Sequence, residues 1–268
     1  MSFKLVRPKP TRILVLNPNS SQSMTDGLEP TINSVDLGPS TEVHTFTAPK
    51  SSPASINDDE DIEASYDVAW TSFMDNDPKQ WDCVLVACFS VHPLVKIIGS
   101  AYPEAAVTGI FEASVLAATS LTGRTGEKWG IITTGKFWEA HLTRGVAEYL
   151  GGKGAPNLGP NSPFAGVEST GLNASDFHHG VDPAVVTQKI REATLRLLEK
   201  GVGCIVMGCA GMAGLEETIL SAACEKKGEQ WAYETLHVVD GVRAGLVQVD
   251  QMIKDYKLRP RQGRQSVD

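Results

Sequence analysis

The sequence predicts an α/β fold of two pseudo-symmetric lobes, each a mostly parallel sheet flanked by helices. Three observations carry this. Short β-branched apolar runs alternate with longer helix-like stretches, the signature of parallel strands covered by crossover helices. The segment Asp82-Cys-Val-Leu-Val-Ala-Cys88 is echoed by Gly203-Cys-Ile-Val-Met-Gly-Cys209. A second pair, Ile13-Leu-Val-Leu-Asn-Pro-Asn19 and Gly130-Ile-Ile-Thr-Thr-Gly135, shows a strand emptying into a polar loop at about the same separation. Two copies of one unit related by a pseudo-dyad would produce that spacing.

Strands are expected at residues 12–16, 83–87, 106–109, 129–133, 204–207 and 236–239, and helices at 183–200, 215–227 and 241–254. Asp182 and Asp240 stand at N-cap positions, and Pro183 suits a first helical residue, where its missing N–H costs nothing. The acidic stretch 57–63 leads into a helix. Residues 151–182, rich in Gly, Pro, Asn and Ser, read as a long loop holding one strand.

Composition excludes several function classes. The 268 residues are 41% hydrophobic and 21% charged, enough to build a large core. A net charge of −8 leaves no electrostatic footprint for nucleic acid or an anionic membrane. No apolar run reaches the length of a membrane span. The opening residues, MSFKLVRPKPTR, lack the apolar region of a secretory signal. The expectation is a cytoplasmic protein with reduced thiols, and an odd count of five cysteines argues against a disulfide scaffold.

In each Cys-x4-Cys unit the side chains alternate along the strand, so the two cysteines point to opposite faces. Cys83 and Cys204 are then small core residues. Cys88 and Cys209 fall at the carboxyl ends, where open α/β sheets bind ligands. Helix N-termini are expected just beyond each, where they would favour a thiolate. An isolated free cysteine is commonly inert core; two at equivalent strand ends shift the reading toward chemistry. Zinc fits poorly, because Cys-x4-Cys on a strand splays the thiols and no His stands at ligand spacing. Gly208, Gly211 and Gly214 lack the dinucleotide-fingerprint spacing, and Gly123-Arg-Thr-Gly-Glu-Lys128 is not a P-loop.

Five segments in order, Leu16-Asn-Pro-Asn-Ser-Ser21 with Met24-Thr25, Ala87-Cys-Phe-Ser90, Thr108-Gly-Ile-Phe-Glu-Ala113, Gly208-Cys-Ala-Gly-Met212 and Val239-Asp-Gly-Val242, carry a resemblance over residues 12–252. The chain resembles the aspartate/glutamate/hydantoin racemase superfamily, in particular its hydantoin and allantoin racemase branch with fungal racemase-like members. The resemblance implies an active site in the inter-lobe cleft, one cysteine from each lobe, and racemisation with neither metal nor pyridoxal phosphate nor any other cofactor. It also implies a homo-oligomer acting on a small molecule, and a last strand and helix, from residue 236, that return to pack on the first lobe. The expected organisation is therefore 11–120 with 236–256 as one lobe, 121–235 as the other, and 1–10 and 257–268 as flexible tails. The superfamily's amino-acid racemases carry Cys-Thr-His at the second cysteine; Cys209-Ala-Gly211 here points away from aspartate and glutamate, and Ser90-Val-His92 stands where many hydantoin racemases carry an acid.

Racemisation removes a proton from one face of a carbon and returns one to the other, which two thiols on opposite sides can do. Cys88 and Cys209 are the expected acid–base pair. Charge developing on the adjacent carbonyl needs donors; candidates are Asn17, Asn19, Ser20, Ser21, Ser90, Thr133, Thr134, Gly135 and the amides of Ala210 and Gly211. The Asn-Pro-Asn-Ser-Ser stretch fits a plain turn with an N-cap equally well. Glu112 could orient a substrate N–H or simply complement a helix N-terminus. His92 reads as a cap or structural partner, and His178 and His179 as solvated loop residues or part of a lid. The expected substrate is a cyclic ureide, allantoin or a 5-substituted hydantoin. An Asp/Glu-type racemase, a related isomerase or decarboxylase, and a non-catalytic ureide-binding protein remain the alternatives.

Overall fold

The structure, a computed structural model, describes residues 9–123, 125–151, 154, 158–159, 162–177 and 180–258. In chain order the elements are β1 (Thr11–Asn17), α1 (Gln22–Asp26), α2 (Glu29–Asn33), β2 (Thr41–Thr47), α3 (Asp59–Asp75), β3 (Cys83–Val86), α4 (Pro93–Ala101), β4 (Ala106–Gly109), α5 (Ile110–Thr122), β5 (Lys128–Thr133), α6 (Phe137–Gly151), β6 (Phe164–Ser169), α7 (Pro183–Glu199), β7 (Val202–Met207), α8 (Glu216–Lys227), α9 (Glu229–Glu234), β8 (His237–Asp240) and α10 (Gly241–Leu258). Short 3-10 turns occupy Pro78–Gln80, Ala174–Phe177 and Ala210–Met212.

The strands form two four-stranded sheets, ordered β2-β1-β3-β4 and β6-β5-β7-β8, with every pairing parallel. The two orders are the same order repeated, so β1 corresponds to β5 and β3 to β7. These are the correspondences the sequence repeats suggest, and the α/β fold of two lobes stands.

Burial explains why the central strands are continuous apolar runs. In the first sheet, Leu14, Leu16, Val84 and Val86 pack with Ala69 and Phe73 of α3 and Leu94 and Ile98 of α4. Their neighbours Ile13, Val15, Cys83 and Leu85 point the other way, into a cluster that also holds Trp129, Ile131, Cys204 and Val206 of the second sheet. Ile132, Ile205 and Met207 face Ile190, Leu197 and Ile219 of α7 and α8. Each sheet is thus covered on both faces, and the two lobes share one core, bridged by Ile110, Phe111 and Val115 of α5 and Val242, Leu246 and Val249 of α10.

All six expected strands are present, and the three expected helices match α7, α8 and α10. Asp182 and Asp240 cap as expected, accepting the N–H groups of Ala184 and Arg243 at 2.9 and 2.8 Å. Two expectations change. The segment from residue 236 divides: β8 pairs with β7 in the second sheet, whereas α10 packs on α5, β3 and β4. Val238 and Val239 extend the apolar edge of β7, while the buried stripe of α10 finds its complement only across the molecule. The helix also runs through Lys257 and Leu258, which were expected in a tail; the remaining tail residues 1–8 and 259–268 lie outside the described residues. No helix among the described residues is long and apolar enough to cross a membrane.

Candidate active site

The carboxyl ends of β3 and β7 converge on one small cavity. Cys88 and Cys209 both line it, with Asn19, Thr134 and Ala210. Ala87, Phe89 and Gly208 complete the strand ends, and Met24, Ile56, Trp138 and Ala174 close the remaining walls. The volume is about 30 Å³, room for about two waters. Among the described residues, none that lines it is charged.

Each thiol has a polar group within hydrogen-bonding range. The Ser90 hydroxyl lies 3.2 Å from Cys88 Sγ, and the Gly211 N–H donates to Cys209 Sγ at 3.3 Å. Regular helices begin farther on, at Pro93 and Glu216; Cys209 itself caps only the short Ala210–Met212 turn. Both thiols therefore depart from the sequence expectation of a lowered pKa. Burial, only partly offset by the Ser90 hydroxyl, pushes Cys88 up to about 12. Burial outweighs the Gly211 and Met212 amides and pushes Cys209 up to about 11. A confined site with no cation beside it among the described residues stabilises thiolate less than water does.

Asn19 lines the cavity with its side-chain amide held in one orientation. Its Oδ1 accepts Asn17 Nδ2 at 3.0 Å and the Ser21 N–H at 2.9 Å, which fixes which end is oxygen. Its Nδ2 has only the Met24 thioether, at 3.6 Å. Asn17 is a positioning residue, also donating to Thr25 Oγ1 at 2.9 Å. Ser20 ties the loop to Ser52 O at 2.9 Å, and Ser21 caps α1 through the Met24 N–H. The Asn-Pro-Asn-Ser-Ser stretch is thus both a capped turn and, through Asn19, a cavity wall.

The second lobe is arranged alike. Thr134 lines the cavity, whereas Thr133 is fully buried behind it and donates to Gly208 O at 3.2 Å. Gly135 lies outside the lining and accepts the Trp138 N–H at 3.2 Å. His92 caps α4, accepting the Leu94 N–H, and its Nε2 lies 3.2 Å from Ser65 Oγ. Burial lowers it to about 3, so the ring is neutral and its role structural. His178 and His179 lie outside the described residues. Met24, Ile56, Phe89, Trp138 and Ala174 were not singled out as site residues from the sequence; among them only Met24 and Phe89 fell within a motif noted there.

Glu112 does not line the cavity. It sits in the first turn of α5, folded back over Gly109, and its Oε2 is buried without a hydrogen-bond partner. Burial outweighs its bonds to the Glu112 and Gly109 amides and raises it to about 7. The folded protein therefore keeps a proton that the unfolded chain releases above a pH of about 4.5. Stability falls as pH rises through that window and the loss is complete above about 7, a cost of about 3 kcal/mol. Glu112→Gln should gain stability over the parent at pH 8 and match it near pH 4.5, read from urea unfolding at the two pH values. A pH-independent difference would contradict this account.

No group of three or more His, Cys, Asp or Glu among the described residues could hold a metal ion. All five cysteines are free, with Cys83 and Cys204 in the core as expected.

Residues 13–249 match the family model described as Asp/Glu/Hydantoin racemase. An uncharacterized protein of Schizosaccharomyces pombe is 31% identical over 252 residues, covering 94% of this chain and 96% of its own. A hydantoin racemase of a Pseudomonas species is 25% identical over 239 residues, 88% of this chain and 83% of that one. Among solved structures, allantoin racemase from Klebsiella pneumoniae shares the fold with a TM-score of 0.69 at 24% identity, over 91% of this chain and 88% of that one.

Proposed function

The chain belongs to the Asp/Glu/hydantoin racemase family, and on that premise we propose that it racemises a cyclic ureide, allantoin or a 5-substituted hydantoin, by two-base proton transfer between Cys88 and Cys209. The observation that supports this reading is that the two thiols, from equivalent strand ends of the two sheets, line one cavity.

The uncharged lining supports a neutral substrate. A zwitterionic amino acid with a second carboxylate would bring charges that need paired partners inside a confined site, and none of the described residues that line the cavity is charged. A ureide ring presents only amide N–H and C=O groups, which Asn19 and Thr134 can meet. One cysteine, as thiolate, takes the proton from the stereogenic carbon. The electron pair moves onto the adjacent carbonyl oxygen, stabilised by Asn19 Nδ2 and the backbone amides after Cys209. The other cysteine, as thiol, delivers its proton to the opposite face. Similar pKa values for the two thiols suit this exchange of roles, since either can act as acid or base. No resident metal or organic cofactor enters the scheme.

Free thiols suit a reducing, cytoplasmic setting. A single enantiomer incubated in deuterated water should lose optical rotation while gaining one deuterium at its stereocentre. Retained rotation for allantoin and for a panel of 5-substituted hydantoins, with no label uptake, would reject the proposal.

A further inference from the structure

The strand ends that lead to Cys88 and Glu112 are neighbours. Val86 of β3 pairs with Gly109 of β4, so the two chains leave the first sheet side by side. One runs on to Cys88, the other into the first turn of α5. Phe89, which follows Cys88, and Phe111, which precedes Glu112, pack edge to face with their centroids 5.6 Å apart. Both rings are buried. The thiol and the carboxyl therefore flank a shared apolar layer, which weakens the field of a charge far less than water does.

Capping alone does not call for an acid at this position. The Glu112 carboxyl reaches back to the N–H of Gly109, the N-cap of α5, as the third residue of a capping box does. A glutamine serves that box equally well. The contact leaves Oε2 buried with no hydrogen-bond partner. Gly109 makes the room for it, since a Cβ there would stand 2.3 Å from Oε2. On the α4 side it meets only the apolar Val95, and His92 at the start of that helix is neutral. Burial and two amides act on Glu112, and no cation among the described residues offsets its charge. The titratable groups that feel a Glu112 carboxylate are Cys88 and the Tyr149 hydroxyl of α6, and each is held in its protonated form. Cys209 is placed differently, answering to burial and to the amides of Gly211 and Met212.

We propose that Glu112 is a positioning residue that sets which sulfur starts as the base. Uncharged, it leaves either thiol free to ionise. As a carboxylate it keeps the proton on Cys88, so that Cys209 is the resting thiolate. This deepens the racemase reading and rests on it for its catalytic consequence, whereas the effect on thiol ionisation can be read with no substrate present.

Alkylation by iodoacetamide from a pH of about 5.5 to about 9 tests it, on the full chain and its Glu112→Gln variant. Mass spectrometry quantifies Cys88 and Cys209 separately. The thiolate is the reacting species, and access to the cavity scales all rates of one protein alike, so the pH dependence reports ionisation. Glu112 gives up its proton near pH of about 7. At the acid end the Cys88 rate in Glu112→Gln should match that of the parent. By a pH of about 8.5 it should exceed the parent by about threefold or more, while the Cys209 rate stays close to the parent throughout. A Cys88 ratio that is constant over the whole range overturns the proposal, because a merely structural cap acts alike at every pH. An equal rise at Cys209 overturns it too, since Glu112 would then not distinguish the two sulfurs. Polarimetry on the same two proteins keeps the claims apart: a parent that racemises nothing counts against the racemase reading, and the Cys88 ratio still decides the role of Glu112.

Discussion

Replacing either Cys88 or Cys209 by serine is expected to stop racemisation in both directions, with kcat falling about 10³-fold or more. Serine preserves the shape of the side chain and removes a titratable sulfur, and its hydroxyl is far too weak an acid to supply the base at neutral pH. The two thiols share one cavity, so the loss of one leaves a single base on one side of the bound carbon. Each variant should then retain slow deuterium exchange of one enantiomer without inversion, and the two variants should prefer opposite enantiomers. That asymmetry separates a lost base from a damaged site, because a misfolded pocket exchanges neither. The raised thiols add a pH signature. With Cys88 pushed up to about 12 and Cys209 to about 11, thiolate is scarce at neutral pH and grows about tenfold per pH unit. The parent's kcat/KM should therefore climb from pH 7 to 9 on a substrate that does not itself ionise in that range. Full racemase activity in either serine variant, measured by polarimetry, would dismiss the two-base scheme.

Gly208→Ala should have the second-largest effect, on both stability and rate. A Cβ at Gly208 would stand 2.6 Å from the carbonyl oxygen of Ile132 and 2.6 Å from Ile131 Cγ2. Ile132 O also receives the Gly208 N–H at 2.7 Å, and Thr133 holds Gly208 O at 3.2 Å. The backbone is pinned from both sides and cannot retreat without breaking the β5–β7 pairing. Overpacking of this kind costs about 1–3 kcal/mol. Because Cys209 is the next residue, its sulfur would shift too, and a displacement of about 1 Å can cost about 10²-fold in kcat. Gly245→Ala supplies the contrast. There the added carbon meets Leu85 Cδ1 at 2.4 Å, at the α10–β3 contact rather than at the cavity. It should lower the melting temperature yet spare kcat per folded molecule. Equal kcat losses in the two variants would remove the case for Gly208 as a spacer behind the cysteine.

The central strands could be read from the chain because burial on both faces demands continuous apolar runs, as in Cys83-Val-Leu-Val86 and Val202–Met207. β2 escaped notice because an edge strand need not be apolar throughout: Thr41–Thr47 is nowhere fully buried. β6 lay within a Gly- and Pro-rich stretch and finds its place by pairing with β5. At the cavity, Cys88, Asn19, Thr134, Ala210 and Cys209 were legible because each lies within three residues of a strand's carboxyl end. Ile56, Trp138 and Ala174 were not, since an apolar residue near a helix or in a loop looks the same whether it fills a core or walls a cleft.

Strand runs, helix caps and the duplicated cysteine unit follow from the chain's local pattern, since alternation, backbone sterics and capping act over a few residues. Three things depended on segments distant in sequence: which sheet β8 joins, which side chains enclose the two sulfurs, and the direction in which their pKa values move. Helix-end partial charges suggested a downward shift, but protein atoms packed round Cys88 and Cys209 from both lobes displace much of the water that would solvate a thiolate. Desolvation sums over every neighbour in space, and folding alone brings those neighbours together.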